Sequence, residues 1–177
     1  RSPPAPGLLL AGSSLVLVVV EADVVVRVLL LHPPLGANDQ RASEAMHDVF
    51  YDVLRRADTG INIGYAVIYD TVRTITSIYP SIQLLETAAS HIARFVSSEN
   101  HNLKYLGITG LAQVVEGHPR VAAQHQLAVI DCLGSADDTL KRKTLDLLYR
   151  MMNTVNVEFI AAKLLDALEA STDEFLR

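Results

Sequence analysis

From Gly36 onward the apolar residues recur at three- and four-residue spacing, and the stretches they form repeat with a period near forty residues. Sliding the sequence by 37 pairs Asn102-Leu103-Lys104 with Thr139-Leu140-Lys141, Ile108 with Leu145, Leu111 with Leu148 and Val114-Val115 with Met151-Met152. Sliding it by 40 pairs Asn62-Ile63-Gly64-Tyr65 with Asn102-Leu103-Lys104-Tyr105, Ile68 with Ile108 and Ile75 with Val115. A three-to-four spacing belongs to amphipathic helices, and two helices per unit of about 40 residues is the signature of HEAT or armadillo repeats. The predicted fold is all-α, an α-solenoid of antiparallel helix pairs with about 3.5 repeats over residues 36–177. An ordinary bundle whose heptads align by chance is the alternative. It leaves the alignment of polar Asn62 with Asn102 unexplained.

Seven helices are expected, with short connections that make neighbours antiparallel. The first runs from Arg41 to Ala57 after Asn38-Asp39, with Ala45, Val49, Val53 and Leu54 inward. Asn62 to Tyr79 follows Gly60 and is stopped by Pro80. Ser81 to Ser97 turns Leu84, Leu85, Ala88, Ile92, Phe95 and Val96 inward, and Asn102 to Glu116 ends at Gly117. Pro119 to Leu133 has proline in its first position and Gly134 at its end. Thr139 to Met152 follows the acceptor Asp138, and Asn156 to Ala170 follows Asn153.

Residues 1–35 differ from the rest. They open on Pro3-Pro4-Ala5-Pro6-Gly7, run mostly apolar from Leu8 to Leu31 and close on Pro33-Pro34. A membrane span is the obvious test, but Glu21, Asp23 and Arg27 cost about +9 kcal/mol against about −7 from the apolar residues. The uncharged part, Leu8 to Val20, falls short of the roughly 20 residues that cross a bilayer. A signal sequence lacks a basic leader beyond Arg1 and a small-residue cleavage site. This stretch is therefore set apart as a poorly ordered N-terminal segment foreign to the repeats. With no Met at position 1 and no polar tail after Phe175-Leu176-Arg177, the chain is read as a piece of a longer one.

Fifteen basic against 20 acidic residues leave a net charge of −5, which provides no general basic face for nucleic acid. The single cysteine, Cys132, excludes an intrachain disulfide and a cysteine-cluster zinc site, as suits the cytosol. The six histidines form no metal-ligating pattern, Gly107 and Gly110 sit inside a helix as packing points, and Cys132 reads as a small buried hydrophobe. No catalytic, cofactor-binding or metal residue is assigned, and the chain is expected not to be an enzyme. A helical hydrolase would need a paired acid and base, for which no workable spacing exists.

The conspicuous charge cluster is Lys141-Arg142-Lys143 with Arg150 beyond it. Successive helical residues point about 100° apart, so the three cannot make one flat phosphate-binding face. One reading is a solvated face with local ion pairs to Asp137, Asp138 or Glu99. The other makes Lys104, Lys141 and Arg142 contacts to an acidic partner surface or a lipid headgroup, with the two lysines stacked along one edge one repeat apart.

The repeat boundaries carry a family resemblance. Asn100-His101-Asn102-Leu103-Lys104-Tyr105-Leu106-Gly107 resembles the Asp-x-Asn-Ile/Leu-Arg/Lys-Tyr helix start in the large subunits, or adaptins, of heterotetrameric vesicle-coat adaptor complexes. Ile130-Asp131-Cys132-Leu133 with Asp137-Asp138-Thr139-Leu140-Lys141-Arg142-Lys143 is similar to the same family's Val-Asp-Cys-Leu and Asp-x-x-Ile-Lys-Arg-Arg segment. Asn100 stands where the family usually has Asp. The wording at Asn62-Ile63-Gly64-Tyr65, Gln124-His125-Gln126 and Thr144-Leu145-Asp146-Leu147 marks one subunit class within it.

The resemblance covers residues 35–177 and implies a piece of the adaptin trunk, a structural scaffold in cargo sorting and vesicle-mediated protein transport. It implies partners in a second large, a medium and a small subunit, and a cytoplasmic protein peripherally bound at the trans-Golgi network and coated vesicles. An Arf-family GTPase and cargo tails would be met through family segments with no counterpart in this sequence, so no cargo residue is carried over. No cofactor is implied. A HEAT scaffold of another kind, a transport receptor or phosphatase scaffold, is the alternative.

Overall fold

A computed structural model describes residues 39–170. They form α1 (Gln40–Ala57), α2 (Asn62–Ser77), α3 (Ile82–Val96), α4 (His101–Gly117), α5 (Pro119–Ala123), α6 (Gln126–Asp131), a 3-10 turn (Cys132–Gly134), α7 (Asp138–Met151) and α8 (Val157–Ala170). Among the described residues there is no strand, so the fold is all-α. The reading of residues 1–35 falls outside the described part, apart from its boundary. Among the described residues no helix is long and apolar enough to cross a membrane. The chain divides into two compact units between Leu84 and Leu85.

The first unit is the α1–α2 hairpin. Asp39 caps α1, its carboxylate accepting from the Arg41 and Ala42 amides at 2.9 and 3.2 Å. The buried face of α1 is Ser43, Phe50, Val53, Leu54 and Ala57. Of the four residues expected inward, Val53 and Leu54 are buried. Ala45 is exposed and Val49 is 47% exposed. The stripe centres on Phe50, Leu54 and Ala57, which puts position 49 about 100° to its flank.

The turn after α1 needs Gly60, whose φ of 73° lies in the left-handed region. The hairpin closes at Gly64, where a side chain would collide with the Ala57 carbonyl oxygen. α2 stops at Ser77 instead of Tyr79. The residue before Pro80 is disfavoured in helical geometry, and α1 captures its backbone. The Tyr79 amide donates to Ser43 Oγ at 3.3 Å, and His47 Nε2 donates to the Tyr79 carbonyl at 3.0 Å. A carbonyl only accepts, so His47 carries its proton on Nε2.

In the second unit Leu85, Ala88, Ala89, Ile92, Phe95 and Val96 of α3 are buried, and all six residues expected inward on this helix are so. Asn100 caps α4 by accepting from the Asn102 amide at 2.9 Å and the Leu103 amide at 3.4 Å. Asn62 and Asn102 fall in the first two positions of their helices and cap neither. α4 packs on α7 and α5, and α7 also on α6 and the 3-10 turn. A Cβ at Gly107 would lie 2.7 Å from the Val96 amide nitrogen, so α4 and the end of α3 meet backbone to side chain there.

The single helix expected from Pro119 to Leu133 is broken. His125 has φ −102° and ψ 10°, outside the helical region, and the i to i−4 ladder is interrupted at Gln124-His125. The expected cap of α7 also shifts by one. Asp137 is the acceptor, taking the Leu140 amide at 3.0 Å, while Asp138 is the first helical residue. α8 is preceded by Asn153, whose side chain accepts from the Val155 and Asn156 amides at 2.8 and 3.1 Å.

The burial pattern reproduces the repeat. Val67, Ile68, Thr71, Thr74 and Ile75 of α2 are buried, as are Gly107, Ile108, Leu111, Val114 and Val115 forty positions on. Thirty-seven positions beyond Gly107, Gly110, Leu111 and Val114, the residues Thr144, Leu147, Leu148 and Met151 are buried too.

Candidate partner-contact surface

Lys104 and Lys141 are each the fourth residue of their helix. Each backbone amide donates at 3.0 Å to the carbonyl of its cap, Asn100 for Lys104 and Asp137 for Lys141. The two starts are thus one design seen twice at an interval of 37: cap, two residues, a leucine, then lysine. Both lysine positions are partly exposed. Lys141 Nζ pairs with Asp138 Oδ1 at 3.4 Å, the local ion pair expected for a solvated edge and worth about 0 to 1 kcal/mol. Lys104 lies near enough to Cys132 for its charge to act on the thiol.

Arg142 is exposed, and the structure separates it from Lys141. Arg142 lines a hollow with Asp138, Thr139, Lys143 and Asp146, whereas Lys141 lines another with Lys163 and Asp166. The 100° step between adjacent helical residues divides the cluster, and three side chains of alternating sign flank Arg142. Arg150 is neutralised locally by Asp146 at 3.0 Å. Lys163, bonded to Asp166 at 3.1 Å, was not singled out in the sequence. Its signal was only the i, i+3 charge pair inside an apolar segment.

Cys132 is buried, its Sγ 3.6 Å from the Val96 carbonyl oxygen, to which the S–H donates. Burial pushes the thiol up, Lys104 pulls it partly back and Asp131 pushes it up again. A thiol held in its protonated form is a poor nucleophile. Burial also lowers His125. Among the described residues no three histidine, cysteine or acidic side chains converge as a metal site would require.

One buried polar cluster escaped the sequence. Asn156 Nδ2 donates to Gln126 Oε1 at 2.9 Å and to the Met151 carbonyl at 3.1 Å, and its Oδ1 accepts from the Asn153 amide at 2.7 Å. The break at Gln124-His125 starts α6 at the residue that reaches Asn156. A polar Gln-His-Gln inside an otherwise apolar helical pattern was the available signal.

A helical hairpin repeat with conserved cap registers and surface ion pairs, and without a reactive centre among the described residues, defines a scaffold-type domain. The chain belongs to the family described as "Adaptin N terminal region", which matches residues 23–177. That match starts inside the stretch set apart above, ahead of the boundary at residue 35. The solenoid of antiparallel helix pairs read from the repeat is the fold class of this family.

Within the family the chain is most like epsilon subunits of the fourth adaptor complex. It is 45% identical over 148 residues to "AP-4 complex subunit epsilon" of Arabidopsis thaliana, covering 84% of this chain and 16% of that one. It is 46% identical over 142 residues to "AP-4 complex subunit epsilon-1" of Homo sapiens, covering 80% and 12%. "AP-1 complex subunit gamma-2" of Arabidopsis thaliana shares 28% over 150 residues, covering 85% and 17%. The chain therefore spans less than a fifth of the length of these relatives.

Proposed function

We propose that this chain is part of the structural trunk of an adaptor-complex large subunit, working as a non-enzymatic scaffold in cargo sorting and vesicle-mediated protein transport. The observation that carries this reading is the identity of 45 to 46% with AP-4 epsilon chains across the length of the helical repeats. In this reading the partners are a second large, a medium and a small subunit. The complex sits peripherally on the cytoplasmic side of trans-Golgi and coated-vesicle membranes, and an Arf-family GTPase and cargo tails engage other parts of the protein. No cofactor is needed.

The test is affinity purification of a tagged full-length version from cytosol, with imaging against a trans-Golgi marker. Co-purification with three further adaptor subunits is expected, and a stable monomer free of them would sink the proposal.

Lys104, Lys141 and Arg142 are proposed as partner contacts. Lys104 and Lys141 occupy equivalent places on two helix starts, which supports an edge with repeating positive charge. A desolvated lysine at such a contact costs about 2 to 5 kcal/mol when truncated, against about 0 to 1 for an exposed local pair. In the full-length protein, Lys104→Ala with Lys141→Ala is expected to leave melting unchanged and weaken assembly. Normal assembly would leave these lysines as a solvated edge.

A further inference from the structure

Within the second unit a hollow of about 450 Å³ opens where α6 and the 3-10 turn meet α7 and α8. Its walls include Ile130, Leu133, Leu145 and Leu168, and its rim carries Lys141 and Lys163. Each of the four wall residues is only partly buried, and none belongs to the core. Their uncovered areas meet in one concavity instead of being scattered singly over the surface, which is what distinguishes a binding hollow from ordinary exposed leucines. Its volume lies within the roughly 300 to 1,000 Å³ typical of ligand sites.

The rim sets the chemistry. Both ammonium groups already hold carboxylates, Lys141 that of Asp138 at 3.4 Å and Lys163 that of Asp166 at 3.1 Å. Both pairs are on one helix turn, with acidic partners 61% and 68% exposed, and such pairs exchange at little cost. An ammonium has three N–H donors, so each lysine can take an incoming carboxylate beside or in place of its own. Asp166 is the one acidic side chain lining the hollow against two lysines.

We propose that this hollow docks an acidic peptide segment of a partner protein, a large apolar side chain entering between Leu133, Leu145 and Leu168 while neighbouring carboxylates meet Lys141 and Lys163. The proposal does not rest on the tetramer reading, because it concerns a site complete within the second unit.

The experiment is fluorescence anisotropy on the full 177-residue chain, with a labelled peptide of two glutamates followed by leucine and phenylalanine. A peptide with lysines in place of the glutamates and vesicles of phosphatidylcholine with phosphatidylserine are tested beside it. Saturable binding of the acidic peptide is expected, weakened about tenfold by Lys141→Glu with Lys163→Glu and retained by the two Lys→Arg changes, and weakened by salt. A benzophenone in place of the phenylalanine is expected to cross-link to the Ile130–Leu133 or Ala167–Leu168 segment, which locates the site even if the reversed variant fails to fold. Equal binding of both peptides, insensitivity to charge reversal or cross-linking elsewhere would overturn the proposal. So would vesicle binding without peptide binding, dimerisation through the same residues, or binding that emerges only once residues 171–177 are deleted.

Discussion

A methyl group at Gly107 would stand 2.7 Å from the Val96 amide nitrogen and 2.8 Å from its Cγ2. Backbone cannot give way as a flexible side chain would. Gly107→Ala is therefore expected to destabilise the fold by about 1 to 3 kcal/mol, read as a lower denaturant midpoint with unchanged slope. His125 offers a second residue-level test. Burial lowers its pKa below the ordinary 6.5, so the unfolded chain binds this proton more readily than the folded one. Stability is then full above pH 6.5 and declines as pH falls from there through the lower folded value. The melting temperature should drop more on acidification in the wild type than in His125→Gln, and parallel curves would refute this. Gly107 was legible in the sequence as a packing point, because a glycine at a buried helical position has few other uses. The Ser43 and His47 grip on Tyr79 was not, since its partner is backbone and lies 36 and 32 residues away.

Among the elements, helix existence followed from spacing because each long helix buries one stripe, and the inward residues of α3 were all identified. Boundaries and caps slipped by a residue where two acceptors compete, as Asp137 and Asp138 do ahead of α7. The α5–α6 break was hidden because its cause is tertiary, in the Gln126–Asn156 bond. The lysine register was readable, whereas the division of Lys141 from Arg142 into separate hollows needed the helix axis and neighbours in place. Asn100→Asp keeps the cap geometry and adds negative charge at the α4 N-terminus, so a gain of about 0.3 to 1 kcal/mol is expected in thermal melts. α8 is the least committed helix. Ile160 is buried, while Val157, Phe159 and Leu165 are 42%, 42% and 60% exposed. Phe159→Lys with Leu165→Glu should reduce binding of a hydrophobic dye and shift stability by no more than about 0.5 kcal/mol. A large loss of stability would show that this flank is already covered.

For the whole molecule, that apolar flank together with Val155, 93% exposed, favours association between chains. Sedimentation velocity is expected to show concentration-dependent oligomers, and melting is expected below about 65 °C, the upper end for ordinary domains. A concentration-independent monomer with a cooperative melt above that temperature would contradict both.

Two ties described above, Tyr79 N–H to Ser43 and Cys132 S–H to the Val96 carbonyl, each span 36 residues and end on backbone. A backbone partner is blind to which side chain it carries. Positions 79 and 96 are therefore open to replacement as far as these ties go, with proline barred at 79, while 43 and 132 must keep a hydrogen-bonding group. A codon gained or lost inside a helix between the tied ends would rotate one end by about 100° and break the tie. Descendants of this chain should drift in letters far sooner than in length, with gaps confined to the connections between helices.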